Sequence, residues 1–471
     1  MMYPTYSEFV DLSKTYNRVP VYLEVDGDLD TPVSLLNSLL DKDNCLLLES
    51  ANQKKIYSRF SFLAFNAKKF VLQNDSTFEG FSEGLSFIKN FLKQNKSASF
   101  ETFGSFAGGF IALLSFEFVN ACGILRNKIK NPPQTLGVFY FVDKFLVYDN
   151  YTNKLYLAKS QLTKDPDAYA KAQEELLSLK EELKRTSVPK NNSKPKIIRK
   201  IPKKEFIEKV NFLKKQIEDG EAIQVVLSDY VELDGLNPFE FYRNLRKFNP
   251  SPYMFFIKDA QTFVVGSSPE VHISVRKNTA TIKPIAGTRP IASTEEKTRL
   301  LEQELLLDEK ENAEHLMLLD LARNDLSRVS VPLSVKVKSF RQVEHYSHVM
   351  HLVSEVEGKV DESFDLIDCL TNTFPAGTVS GAPKVRAIEL IEEVEKHSRG
   401  FYAGCVGYIG LNDNMDMAIT IRTAFFEKDK ARFQAGAGIV YDSVAENEYK
   451  EVLSKLGALL QAGGINDSLD R

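Results

Sequence analysis

The chain has 471 residues, enough for two or three domains of ordinary size or for one large composite unit. Hydrophobic residues make up 43% and charged residues 26% of the sequence, which excludes a disordered or collagen-like protein. Lys and Arg number 60 against 64 Asp and Glu, and the net charge of -4 gives no general attraction to nucleic acid or to an anionic membrane.

Cysteine spacing and apolar runs indicate the cellular compartment. The four cysteines are far apart and form no C-x-x-C pair, which is typical of a reduced compartment. The first residues lack a basic segment followed by an apolar one, and no apolar run is long enough to span a bilayer. We therefore expect a cytoplasmic protein with neither a nucleic acid nor a membrane as partner.

The first part of the chain is predicted to be mostly β structure. Short apolar runs bounded by polar residues or by Gly and Pro indicate strands at residues 45–48, 69–72, 138–142 and 154–157. A solvated helix follows at residues 165–184, and then a stretch rich in Pro, Asn and Lys. This pattern predicts a mostly β region at residues 1–186, a linker at 187–204 and a second domain at 205–465.

Helices and strands alternate irregularly in the second part. The periodicity predicts helices at residues 204–219, 294–324 and 383–400, and strands at 223–233, 255–265, 280–284 and 418–425. Long β stretches with irregularly placed helices favour an α+β fold over a doubly wound sheet.

Two of the predicted helices carry glutamates three residues apart. Glu311 and Glu314 lie on one helix, and Glu448 and Glu451 lie on the last. Residues at i and i+3 share a helix face, so each pair can point both carboxylates at one place. Two such faces that met would suit Mg²⁺, although the same spacing is common among solvated surface glutamates.

Two glycine-rich segments and one arginine are candidates for anion binding. Residues 374–384 run from a glycine-containing loop into a helix, and residues 434–440 place small side chains between β segments. Either segment is equally consistent with a tight turn. In the predicted strand at 418–425, Arg422 would offer a guanidinium fork to a ligand carboxylate.

Five long segments resemble the chorismate-utilising enzymes, and among them the anthranilate synthase component I family most closely. They are PIAGTRP (284–290) and the segments at 308–326, 345–358, 374–391 and 434–451, which occur in the order of that family. The resemblance is strong over residues 205–460 and weaker before them. It implies a fold in which large β-sheets pack together with helices on the outside. It also implies that residues 1–186 are a regulatory region and that residues 205–465 are the chorismate-binding catalytic domain.

The resemblance also implies roles for individual residues. Glu314 and Glu451 would bind Mg²⁺, supported by Glu311 and Glu448. His351 and Thr378 would lie beside the C4 hydroxyl of chorismate that departs, and an ordinary imidazole pKa near 6.5 would let His351 donate a proton. The positions matching substrate-binding residues are Gly287, Thr288, Tyr402, Arg422, Gly436, Ala437, Gly438 and Lys455.

Two positions separate the reactions within the superfamily. Isochorismate and salicylate synthases carry a water-activating lysine where this chain has Gln224, and aminodeoxychorismate synthases commonly carry a nucleophilic lysine where it has Ala286. The resemblance therefore implies Mg²⁺-dependent synthesis of anthranilate and pyruvate from chorismate and ammonia, the first committed step of tryptophan biosynthesis. Aminodeoxychorismate synthase component I is the alternative. A second class of protein is a non-catalytic module that binds nucleic acid through the basic stretch at residues 187–204. This class would require the spacing of both glutamate pairs to be a coincidence.

Regulation and a partner are also implied. Ser50, together with Pro252, Tyr253 and Met254, resembles the tryptophan feedback site of component I. The sequence has no glutaminase nucleophile motif, so a glutamine amidotransferase subunit would supply the ammonia. The chain departs from the family pattern at residues 221–223 and 291–292, and at 115–117 it has Ser-Phe-Glu in place of a Tyr-Asp pair.

Overall fold

Two large antiparallel β-sheets are the framework of the fold in a computed structural model, which describes residues 1–50, 59–78, 84–183, 195–345 and 349–465. The strands are β1 (Met2–Tyr3), β2 (Arg18–Asp26), β3 (Asn44–Glu49), β4 (Phe60–Phe65), β5 (Lys68–Gln73), β6 (Gly109–Leu114), β7 (Thr135–Val142), β8 (Lys144–Asp149), β9 (Lys154–Leu162), β10 (Lys196–Arg199), β11 (Gln224–Asp234), β12 (Tyr253–Asp259), β13 (Thr262–Ser268), β14 (Val271–Arg276), β15 (Thr279–Ile282), β16 (Ile285–Pro290), β17 (Lys336–His345), β18 (Val349–Lys359), β19 (Gly381–Ala382), β20 (Cys405–Gly410), β21 (Met415–Ile419), β22 (Thr423–Glu427) and β23 (Lys430–Ile439).

The helices complete the element list. They are α1 (Tyr6–Ser13), α2 (Pro32–Ser38), α3 (Leu85–Gln94), α4 (Ala168–Glu182), α5 (Lys203–Glu218), α6 (Pro238–Phe248), α7 (Glu295–Leu307), α8 (Glu309–Ser327), α9 (Leu366–Thr373), α10 (Lys384–Val394) and α11 (Ala445–Ala462). Short 3-10 turns occur at Glu101–Phe103, Phe116–Ala121 and Gly377–Val379. Across the described residues, no helix combines the length and the apolar character that a bilayer crossing requires.

Each sheet combines strands from both parts of the chain. Over the described ranges, the larger sheet has 13 strands in the order β1-β2-β9-β8-β4-β3-β12-β13-β22-β23-β11-β10, with β19 also paired to β11. The smaller sheet has ten strands in the order β16-β18-β15-β14-β21-β20-β6-β7-β5, with β17 also paired to β18. Strands β3 and β12 join the two parts in the first sheet, and β6 and β20 join them in the second.

The two sheets pack face to face because their strands are apolar on both faces. In β6, Ile111 and Leu113 belong to a cluster that contains inward residues of both sheets, such as Phe145 from β8 and Val406 from β20. The intervening residues of β6 belong to a second cluster, which also includes helix residues. This alternation with a period of two residues places one core between the sheets and the other under the helices. The predicted α+β fold is confirmed.

The predicted helix at residues 294–324 is two helices. Asp308 has an extended backbone conformation (φ -67°, ψ 110°), and its carboxylate accepts a hydrogen bond from the Glu311 N–H at 3.1 Å. The same carboxylate binds the guanidinium of Arg289 at 2.8 Å. Asp308 therefore ends α7 and caps α8, because an N-cap carboxylate stabilises the free N–H groups of a new helix.

Three other predicted elements differ from the observed ones. The predicted strand at 255–265 is the hairpin of β12 and β13, which turns at Ala260 with φ 52°. The predicted strand at 280–284 corresponds to β15, which ends at Ile282 and does not reach residue 284. The predicted helix at 383–400 ends at Val394, because Glu395 takes an extended conformation and its carboxylate pairs with Arg399 at 2.7 Å.

The proposed domain division remains a prediction. Within the predicted linker at 187–204, residues 187–194 lie outside the described residues. Strand β10 occupies residues 196–199 and pairs with β11, so this part of the stretch is not a solvated linker. Apolar Ile197 packs against the core while its neighbours are more exposed, which is the alternation that an edge strand needs.

Candidate active site

His351 fixes a bulge in strand β16 that contains Gly287 and Thr288. His351 lies on β18, and its Nδ1 is 2.8 Å from the Gly287 carbonyl oxygen and 3.1 Å from the Thr288 hydroxyl. The pairing of β16 with β18 is irregular at this point, and Gly287 has φ 64°, a conformation that favours glycine. A carbonyl oxygen only accepts, so Nδ1 carries the proton of the neutral imidazole.

The pKa of His351 differs from the value expected from the sequence. Burial lowers it to about 4, assisted by the positive charge of Arg422 and opposed by the hydrogen bond to Gly287. The imidazole is therefore neutral at pH 7. The expectation that an ordinary pKa near 6.5 equips His351 as a proton donor is wrong, while its place in the site remains a prediction.

A buried carboxyl group that the sequence analysis missed lies in the same region. Glu270 occupies the short link between β13 and β14 and is 8% exposed. Burial raises its pKa to about 7, against the opposing effects of Thr378, Arg422 and Lys455. Thr378 and Glu270 line one small cavity of about 30 Å³. The signal in the sequence was an acidic residue between two apolar strands. Burying a carboxylate there costs folding free energy, so such a residue is a candidate for a functional role.

Glu311 and Glu314 lie on the first two turns of α8. The Arg289 guanidinium donates to Glu311 at 3.3 Å, and the side-chain amide of Gln224 donates to Glu314 at 3.2 Å. Burial, together with the negative charge of Glu314, raises the pKa of Glu311. Glu314 is therefore close enough to destabilise the charged form of Glu311.

Glu448 and Glu451 form a second pair on α11. Glu451 binds Lys455 at 2.7 Å, and Glu448 is buried. Burial raises the pKa of Glu448, and the charge of Glu451 raises it further, whereas Lys310 of α8 lowers it. Among the described residues, no three Asp, Glu, His or Cys side chains are grouped so that they could hold a metal ion. The two pairs lie on separate helices. Arg289 and the Gln224 amide contact the pair on α8, and Lys455 contacts the pair on α11.

Strand β23 brings the predicted glycines to Tyr402 and Lys455. The Lys455 ammonium group donates to the Gly436 carbonyl at 2.8 Å. A Cβ atom on Gly436 would be 2.9 Å from the Tyr402 hydroxyl, and one on Gly438 would be 2.5 Å from the Gln224 amide nitrogen. Ala437 between them is fully buried. Glycine at both positions therefore permits the close approach of these polar side chains to the strand.

Arg422 is not on a strand, contrary to the prediction. Strand β21 ends at Ile419 and β22 begins at Thr423, and Arg422 between them has φ 50°. The strand is broken at the point where the chain passes from the smaller sheet to the larger one. The charge of Arg422 affects the pKa of both Glu270 and His351, so the guanidinium lies near both groups.

The predicted inhibitor residues meet in a separate and much larger cavity. Strands β3 and β12 pair with Met254 opposite Glu49, which places Ser50 beside Pro252 and Tyr253. All four predicted residues line a cavity of about 1900 Å³ between the two sheets. Glu270 and Thr378 do not line it; they line the small cavity, here called the catalytic chamber, which none of the four inhibitor residues lines.

Comparison with known proteins identifies the family. Residues 43–461 match the chorismate binding enzyme family. Anthranilate synthase component 1 of Acetivibrio thermocellus is 38% identical, over 98% of each chain, and that of Aquifex aeolicus is 39% identical, over 96% of each chain.

Solved structures agree with this result. The crystal structure of anthranilate synthase component I from Streptococcus pneumoniae has a TM-score of 0.73 and 34% identity, covering 86% of this chain and 93% of that chain. The menaquinone-specific isochorismate synthase of Escherichia coli shares the fold, with a TM-score of 0.72 at 19% identity over 97% of this chain and 98% of that one. The chain therefore belongs to the chorismate binding enzyme family, alongside its anthranilate synthase component 1 members.

Proposed function

We propose that the chain converts chorismate and ammonia to anthranilate and pyruvate, the first committed step of tryptophan biosynthesis. Relatives called anthranilate synthase component 1 match it over nearly its whole length, which supports this activity among those of the family. The observation that carries the choice is the environment of Gln224, whose amide donates to Glu314 and lies against Gly438. At this position an amide cannot deprotonate water, so a nucleophile that needs no base is favoured.

Ala286 supports the same choice. It is 7% exposed and paired with Leu352 in the sheet, and its methyl group has no nucleophilic atom. A covalent adduct between the enzyme and the substrate ring is therefore not available at this position. Ammonia would have to react with chorismate directly, at C2.

The charges of the site suit chorismate, which carries two carboxylates. Arg422 supplies a guanidinium close to Glu270 and His351, and Lys455 supplies an ammonium group held against Gly436. The Tyr402 hydroxyl lies against the same glycine. We propose that these cations and this hydroxyl bind the substrate, with Gly287, Thr288 and the 436–438 backbone forming the surface beside it.

The carboxylates fit Mg²⁺ in their chemistry, but they are not assembled around one point. Within each pair, one glutamate has a pKa raised partly by its neighbour, a repulsion that a bound cation would relieve. We propose that Glu314 and Glu451 hold Mg²⁺, with Glu311 and Glu448 supporting them. Bound Mg²⁺ would place positive charge opposite a substrate carboxylate. Glu451 would have to release Lys455, with which it pairs here.

We assign the proton donor for the first step to Glu270. Ammonia forms a bond to C2 as the C4–O bond breaks, and the departing hydroxyl takes a proton to leave as water. Glu270 has a pKa of about 7, so a substantial fraction is protonated at neutral pH, and it shares a cavity with Thr378. Elimination of pyruvate then gives the aromatic product. His351, neutral and bound to Gly287, orients the bulge beside the site.

Ammonia would come from a glutamine amidotransferase subunit. The name component 1, carried by the relatives, implies a second component that acts with it. We propose that this partner hydrolyses glutamine and that free ammonium ions replace it in its absence.

The product distinguishes the proposal from its alternatives. Purified enzyme incubated with chorismate, an ammonium salt and Mg²⁺ should release ortho-aminobenzoate, detected by its fluorescence and by mass spectrometry, together with an equal amount of pyruvate. Accumulation of 4-amino-4-deoxychorismate would instead support aminodeoxychorismate synthase activity. Isochorismate as the main product would show that Gln224 does not exclude water.

We further propose that tryptophan binds in the large cavity between the sheets and inhibits the enzyme. Ser50→Phe should raise the inhibitory concentration of tryptophan at least about tenfold, because a phenyl ring adds volume where the ligand must fit. Chorismate turnover without tryptophan should change less than about twofold, since Ser50 is outside the catalytic chamber. Ser38→Phe on α2 is the control for a bulky serine replacement away from the cavity. Unchanged inhibition in Ser50→Phe would remove this residue from the inhibitor site.

A further inference from the structure

Glu117 connects the first part of the chain to the catalytic chamber. It lies in the 3-10 turn after β6 and is 2% exposed. Its Oε1 accepts hydrogen bonds from the backbone N–H groups of Arg399 at 2.7 Å and of Gly400 at 3.3 Å. The N–H of Phe116 donates in return to the Gly400 carbonyl at 2.7 Å. The 3-10 turn thus binds residues 399–400 through three hydrogen bonds.

Arg399 extends this connection to the catalytic residues. Its guanidinium donates to the Val379 carbonyl and to the Val226 carbonyl, each at 2.7 Å, and it is bidentate to Glu395. Val379 follows Thr378 directly, and Val226 is two residues after Gln224 on β11. Arg399 is 3% exposed, so these bonds are shielded from water and hold their geometry.

Tyr402 depends on the same turn. Its N–H donates to the Arg399 carbonyl at 3.3 Å, and its ring lies 5.8 Å from the Arg399 guanidinium. The Tyr402 hydroxyl faces Gly436, one of the proposed substrate-binding positions. A displacement of residues 399–400 would therefore move both Tyr402 and the backbone that carries Thr378.

We infer that Glu117 is a positioning residue for chorismate, holding the turn at residues 399–402 through its single accepting oxygen. The inference rests on the proposed function only in using Tyr402 and Thr378 as substrate-facing groups. Oε2 of Glu117 is buried without a hydrogen-bond partner among the described residues, and burial raises the carboxyl pKa. The role therefore needs the oxygen acceptor and not the negative charge.

Three variants of Glu117 test this role. Glu117→Gln keeps an oxygen acceptor and should retain kcat/KM for chorismate within about threefold. Glu117→Ala and the volume-filling Glu117→Leu leave the buried Arg399 N–H and the partly buried Gly400 N–H without their acceptor, so each should lower kcat/KM at least about tenfold. The rate of chorismate consumption per folded molecule is the readout, because it does not depend on which product forms. The leucine variant retains packing if the alanine variant does not fold.

Asp149 offers a matched control. Its buried carboxylate likewise accepts a backbone N–H, from Tyr151 at 3.0 Å, but it lies in β8 outside the catalytic chamber. Asp149→Ala should lower the melting temperature while leaving kcat/KM per folded molecule unchanged. Wild-type kinetics in both Glu117→Ala and Glu117→Leu would overturn the inference, as would a glutamine variant as impaired as these. Formation of a product other than anthranilate by the wild-type enzyme would overturn the proposed function and leave this inference standing.

Discussion

Replacing Glu270 by glutamine should lower kcat by about 10²- to 10⁴-fold, the usual contribution of one general acid. The amide has nearly the same shape as the carboxyl group but cannot protonate the departing hydroxyl. Binding of chorismate should persist, because Arg422 and Lys455 remain in place. Steady-state kinetics with ammonium ions, combined with direct measurement of chorismate binding, would separate the loss of rate from a loss of affinity.

The pH profile adds a second test of Glu270. A general acid works only when protonated, and the free enzyme holds this carboxyl at a pKa of about 7. For the wild-type enzyme, kcat/KM should therefore fall as the pH rises through about 7, and this limb should be absent in Glu270→Gln. Asp149→Asn, another buried carboxylate changed to an amide, should keep the wild-type profile. Full activity in Glu270→Gln would assign proton donation to another group.

Replacing Glu314 by glutamine should reduce Mg²⁺-dependent turnover at least about 100-fold, since even loss of an outer-shell partner can cost that much. The same result is expected for Glu451→Gln, because the two helices contribute one carboxylate each to the proposed site. Titration of activity with Mg²⁺, together with calorimetric binding of the ion, measures the effect. Circular dichroism should show an unchanged fold.

Two further glutamates serve as controls for the metal site. Glu309 is an exposed residue at the start of α8, and Glu446 is an exposed residue at the start of α11. Glu309→Gln and Glu446→Gln should each retain the Mg²⁺ dependence of the wild-type enzyme. Wild-type Mg²⁺ dependence in Glu314→Gln would contradict the proposed metal site. The glutamates of α8 would then be solvated surface residues, as the i, i+3 spacing also allows.

Some contacts among the substrate-binding candidates agree with the sequence expectation, whereas the local backbone conformation differs from it in two places. The segments containing Tyr402 and Gly436 lie against each other, and Gly287 lies against His351. Their substrate-binding roles remain predictions. The sequence does not reveal the strand break at Arg422, because side chains of the two faces alternate without interruption in AITIRTAF. The positive φ of Arg422 leaves no mark on that pattern. The break at Asp308 was hidden by leucines at helical spacing on both sides of it.

Electrostatic properties were the least predictable part of the site. The pKa of His351 depends on burial and on Arg422, which is distant in sequence, so the residue type alone gave the wrong protonation state. Glu270 was missed because a single acidic residue has no periodicity, and its pKa is raised by burial. A single acidic residue between two apolar strands is a weaker signal in the sequence than a repeat or a cluster, and the shift in its pKa depends on contacts that only the fold shows.

The two places where distant strands join have a consequence for synthesis of the chain on the ribosome. Until β12 and β20 have emerged, β3 and β6 each lack a neighbour that they have in the finished sheets. A nascent first half would expose two hydrogen-bonding edges of mostly buried, apolar residues. Such edges pair readily with other chains, so truncation before residue 250 should give aggregates, and productive folding must await the second half.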